Sequence, residues 1–142
     1  MIDTGARWNR KELLEELKNL KLNPEDIDSI ILTHNHFDHT GNWILFKNAK
    51  IYGSNNDFKN KKISDIQKLK LSGMELIETP GHSKGGICLW FPKQKILFSG
   101  DTFFGHGIYG RTDLPGSSPR QMRKSLENLY KLDYKILCPG HV

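Results

Sequence analysis

The sequence predicts a layered α/β fold, and three observations carry that prediction. Short runs rich in β-branched and aromatic residues recur along the chain, among them "SIILT", "KIYG", "MELIETP", "GICLWFP", "KILFSG" and "YKILCPGH", several of them bounded by Gly or Pro. Between them lie two apolar stripes at helical spacing, Leu13, Leu14, Leu17 and Leu20, then Met122, Leu126, Leu129 and Leu132. Four of the strand-like runs end in a histidine or an aspartate, often after a glycine, as ligands do when they gather at strand termini.

In chain order, "MIDT" reads as a strand remnant closed by Gly5. Asn9 with Glu12 three residues on resembles a helix start, so the spacing predicts a helix over 10–20. Asn23 and Pro24 suit the N-cap and N1 positions of a short turn ahead of the buried strand "SIILT". A helix is expected at "WILFKN" after Gly41 and a strand at "KIYG", while 54–72, polar and lysine-rich, is expected to be irregular or partly helical. Three short strands follow, over "MELIETP", "GICLWFP" and "KILFSG". Ser118, Pro119 and Gln121 then mark a capped helix start, and "YKILCPGH" forms a last strand.

A chain of 142 residues has the size of a single domain with one core, spanning 1–142. It holds no apolar run near the roughly 20 residues that cross a bilayer and opens on no signal pattern, so a soluble cytoplasmic protein is expected. Cys88 and Cys138 each sit in an apolar run without a cysteine neighbour at ligand spacing, the pattern of buried reduced thiols. The net charge of +5 comes largely from lysines such as "KNKK" at 59–62 and "KLK" at 68–70. No aromatic residues interleave there, which favours a solvated face and a small-molecule substrate over a nucleic-acid or membrane partner.

The segment "ILTHNHFDHTGN" concentrates three histidines and an aspartate within six residues. Imidazole and carboxylate suit zinc and other borderline divalent ions. Were the segment extended, His34, His36 and Asp38 would share one side and His39 would point away, which one ion cannot easily gather. Two ions are the simpler arrangement. A structural zinc cage is rich in cysteine, none is placed here, and the candidate ligands outnumber one tetrahedral ion's needs, so the site is expected to be open and catalytic.

With these residues in view, the sequence resembles the metallo-β-lactamase superfamily, whose H-x-H-x-D-H signature matches His34, His36, Asp38 and His39. The match continues through "TPGH" with His82, "SGD" with Asp101 and "PGH" with His141, while "IDTG" at 2–5 resembles the opening motif and gives Asp3 a supporting role. The resemblance implies an αββα sandwich with His34, His36 and His82 on one metal, Asp38, His39 and His141 on the other, and Asp101 bridging. Zinc is the implied ion, with iron and manganese used by some relatives. Family members carry strands before "IDTG" and continue past the last histidine, so the resemblance also implies a fold truncated at both termini.

The loop "GDTFFGHGIYGRTDLPGSS" looks most like the glyoxalase II-like (hydroxyacylglutathione hydrolase-like) short hydrolases. That implies hydrolysis of a small thioester such as an S-acylglutathione by a metal-bridging hydroxide, with Asp38 and Asp101 catalytic and Arg111 and Tyr109 binding substrate. Arg111 also matches the persulfide dioxygenases, which use a single iron, and it has a plainer reading as the partner of Asp113 in shaping the loop. His106 and Lys84 match no ligand motif. An inactive metal-binding fragment of the same fold is the reading outside enzymes.

Overall fold

The computed structural model describes residues 1–60 and 62–141. Lys61, inside "KNKK", lies outside the described residues. The chain divides into two compact units, Met1–Leu69 and Lys70–Val142.

The first unit begins with Ile2 in an isolated parallel bridge to Ile31, held by Asp3 N–H on the Ile31 carbonyl and Ile31 N–H on the Met1 carbonyl, so "MIDT" is a strand remnant one bridge long. Asp3 is the cause: its left-handed backbone (φ 52°) turns the chain out of the ladder after one residue. Helix α1 spans Arg10–Asn19, with Asn9 Nδ2 donating to Glu12 Oε2 at 2.6 Å. Of its leucines only Leu17 is buried, and Leu20, expected on the same stripe, is the C-cap and 69% exposed. Pro24–Asp26 forms the expected short turn, closed by a capping box in which Asn23 N–H donates to Asp26 Oδ2 at 2.7 Å.

Strands β1 (Ser29–Ile31), β2 (Lys50–Gly53) and β3 (Ile63–Asp65) form a parallel sheet in that order. Strand β3 falls inside the segment expected to be irregular: three residues are too few to print a pattern, and its place is set by pairing Ile63 with Ile51. A four-residue helix, α2, occupies Phe37–Thr40. "WILFKN" forms a single 3₁₀ turn at Trp43–Leu45, because Phe46 leaves helical geometry to enter the core. That core joins Leu17, Ile30, Leu32, Phe46, Ile51 and Phe58.

The second unit holds a mixed sheet in the order β4-β5-β6-β7, from Glu75–Glu78, Ile87–Phe91, Ile96–Gly100 and Ile136–Pro139. The first two pairings are antiparallel and β6 runs parallel to β7. Helix α3, Pro119–Leu129, starts where the sequence places it, with Ser118 Oγ accepting from Gln121 N–H. Met122, Leu126 and Leu129 bury its apolar face against Cys88, Trp90, Leu97 and Phe103. Gly81 makes this packing possible: a Cβ there would sit 2.4 Å from Met122 Cα. Burial pushes the Cys88 thiol up to about 11, whereas Cys138 is only partly buried.

Candidate metal centre

The first group of candidate ligands follows β1 directly. His34 is buried, His36 holds extended backbone as the N-cap of α2, and Asp38 and His39 lie on the helix itself. The alternation expected of an extended segment therefore stops at His36. The chain turns helical there because Thr40 N–H and its hydroxyl both bond back to the His36 carbonyl.

Asp3 organises this group. Its Oδ1 accepts the Thr33 N–H and its Oδ2 accepts both the Thr33 hydroxyl and His39 Nδ1, each at 2.7 Å. With its one proton given to Asp3, Thr33 Oγ1 accepts from His34 Nδ1 at 3.0 Å. Both rings thus commit Nδ1 to the protein, so Nε2 would be the ligating nitrogen of each. His34 Nε2 and His36 Nδ1 lie 3.1 Å apart. Two donors on one tetrahedral ion, each about 2.05 Å from it, stand about 3.3 Å from one another.

The second group shows the same spacing. Asp101 Oδ2 is 3.4 Å from His82 Nε2 and 3.3 Å from His141 Nε2. One carboxylate oxygen thus stands between two imidazole nitrogens. His82 Nδ1 donates to the Arg111 carbonyl at 2.8 Å, again turning Nε2 to the ligand position. A register shift lies between Phe98 and Gly100, the last residue of β6, and Asp101 is the first residue past the strand. His82 and Asp101 are buried, and the His141 side chain is 49% exposed.

Gly110 packs the loop onto these ligands. Its N–H donates to the Asp101 carbonyl, and a Cβ in its place would lie 2.0 Å from that oxygen and 2.8 Å from His82 Nδ1. Sequence reasoning missed Gly110, Thr33 and the Arg111 carbonyl, since a backbone acceptor leaves no mark on residue type. The signals at hand were Thr beside the first ligand and Gly beside Arg111. The Arg111 side chain pairs with Asp113: Nε and Nη2 donate to the two carboxylate oxygens at 2.9 and 2.7 Å. That pairing holds the Asp113 carboxyl below its ordinary range and raises the guanidinium. Tyr109, the other proposed substrate contact, is 49% exposed.

The model of the Metallo-beta-lactamase superfamily matches residues 1–54 and 57–141. The chain belongs to the metallo-β-lactamase superfamily. This superfamily member is 41% identical over 98 residues to Probable metallo-hydrolase MJ0296 of Methanocaldococcus jannaschii, covering 68% of the chain and 48% of that protein. It is 33% identical over 138 residues to a hydroxyacylglutathione hydrolase of Prochlorococcus marinus, covering 84% of the chain and 53% of the relative. The chain spans about half the length of both. Among solved structures, the di-iron-bound form of TTHA1623 superposes with a TM-score of 0.80 at 28% identity, over 99% of this chain and 80% of the other. The fold is the metallo-β-lactamase fold that the motifs imply. Among the described residues no helix is long and apolar enough to cross a membrane.

Proposed function

We propose that this chain is a metal-dependent hydrolase acting on a small thioester such as an S-acylglutathione. His34, His36 and His82 would hold one divalent ion, Asp38, His39 and His141 a second, and Asp101 would bridge them. The observation that carries the reading is Asp101 Oδ2, at ligand spacing from both His82 and His141. The donor set, imidazole and carboxylate without thiolate, fits a catalytic zinc, iron or manganese site. Bound there, such ions supply Lewis acidity, lowering the pKa of water and polarising a carbonyl.

The protein residues do the positioning. Asp3 and Thr33 fix His34 and His39, the Arg111 carbonyl fixes His82, and Asp38 would orient the attacking water. No serine or cysteine nucleophile is needed: Cys88, buried with its thiol pushed to about 11, is inert at neutral pH. The thioester assignment draws on the loop "GIYGRTD" and on the hydroxyacylglutathione hydrolase relative. The deciding experiment is elemental analysis of the purified protein alongside turnover of S-lactoylglutathione, with Asp101→Ala as control. Two equivalents of metal with turnover lost in Asp101→Ala is the expected result. Absence of stoichiometric metal overturns the reading, and metal without turnover overturns the substrate.

A further inference from the structure

The first unit carries a concavity that the ligand set does not use. It has a volume of about 550 Å³ and is lined chiefly by Trp8, Phe37, Trp43 and Ile44, with Arg7. That size lies within the roughly 300–1,000 Å³ range of small-molecule pockets. Trp8, Phe37 and Ile44 are 73%, 67% and 64% exposed, an unusual concentration of uncovered apolar surface in one place. The Trp8 and Phe37 rings stand 5.4 Å apart and tilted by 51°, in contact with one another.

The walls are held by buried hydrogen bonds. Asn42, fully buried, donates through Nδ2 to the carbonyls of Thr4 and Ala6 at 2.9 and 2.7 Å, tying the segment that bears Arg7 and Trp8 to the one that bears Trp43 and Ile44. Gly41 N–H donates to the Gly5 carbonyl at 2.9 Å and closes the same seam. The cleft is therefore preformed, which reduces the ordering cost of binding. Among the described residues Arg7 forms no ion pair, in a chain of net charge +5, so the cleft offers aromatic surface with one available cation. Phe37 lies between His36 and Asp38 in the chain, placing this surface beside the ligand motif.

We propose that this cleft binds the apolar acyl or aryl chain of an anionic substrate, with Arg7 supplying the countercharge. As a statement about substrate it rests on the hydrolase reading; as a statement about binding it does not. The test titrates octanoate into the full chain after removal of metal by chelation, so that carboxylate ligation to an ion makes no contribution. Fluorescence of Trp8 and Trp43 reports binding, since the third tryptophan, Trp90, is buried in the other unit. Octanoate should saturate the signal and octylammonium bind at least tenfold more weakly. Trp8→Ala and Ile44→Asp should each weaken octanoate at least tenfold, and Arg7→Gln should weaken octanoate while leaving octanol unaffected.

Equal octanoate affinity in wild type and variants, or no saturable binding, overturns the proposal. So does sedimentation showing a dimer that Trp8→Ala dissociates, because a second copy then covers the cleft. The turnover arm compares S-octanoylglutathione with S-acetylglutathione on the metal-loaded protein. A preference for the longer chain above tenfold in kcat/KM, reduced in Ile44→Asp, supports the substrate assignment. Octanoate binding with no hydrolysis of either thioester overturns the thioester assignment alone. Hydrolysis without chain-length preference or octanoate binding overturns the cleft alone.

Discussion

A single carboxylate, Asp3, governs how two of the candidate ligands stand, one by direct contact with His39 and one through the Thr33 hydroxyl. Replacing such a partner costs metal affinity about 10- to 100-fold, so Asp3→Asn should lose affinity by that factor in competition with a chromophoric chelator. Gly110→Ala should be worse tolerated than an ordinary surface change, since its methyl group meets the Asp101 carbonyl at 2.0 Å. A lowered thermal midpoint together with weaker metal retention is expected. Cys88 gives a pH signature. Its folded thiol titrates near 11 against an ordinary 9.0, so the folded state keeps a proton that the unfolded state releases. The associated stability is fully present below about 9 and is lost as pH rises towards about 11. Denaturant titrations across that window should show a decline in wild type that is smaller in Cys88→Ala. At this scale the ligands were legible because His and Asp at strand ends are chemically distinctive. Their supports were not, because Thr33, Gly110 and a carbonyl act only through tertiary contact.

The start and buried face of helix α3 were readable because their signals agree, whereas Leu132, expected on the same stripe, lies past the helix end at Leu129. Ser118 caps, Pro119 opens, and Met122, Leu126 and Leu129 repeat on one buried face. Ser118→Ala should cost about 1 kcal/mol and Leu129→Ala about 2–5 kcal/mol in urea unfolding. Helix α1 has as clear a leucine stripe and buries far less of it, since a stripe fixes which face is apolar and leaves open how much protein lies against it. Strand β3 shows the opposite case. Its three residues carry no periodicity of their own, and they become a strand through β2. The extended reading of His34 to His39 failed for a related reason: one helical turn at Phe37–Thr40 is too short to register in a hydrophobic pattern.

For the molecule as a whole, the proposed ligands come from positions 34 to 39, 82, 101 and 141, so the complete set exists only in the folded chain. Metal should then act as a native-state ligand. At a free concentration 100 times Kd it contributes about 2.7 kcal/mol. For a chain of this size that corresponds to roughly 5–10 °C in Tm, which chelation should remove in a scanning-calorimetry comparison. The superfamily was legible because its motifs recur in order along nearly the entire sequence, and the family model covers 1–54 and 57–141.

Strand β7 pairs with β6 in parallel, Phe98 opposite Cys138 and Gly100 opposite Pro139, and each strand delivers one imidazole or carboxylate just past its end. A slip of two residues would keep every β7 side chain on its proper face while moving His141 about 7 Å along the sheet. The slip would also withdraw Leu137 from the core it packs against. The approach of His141 to Asp101 would be lost with it, so the meeting of those two side chains past the strand ends marks the aligned register.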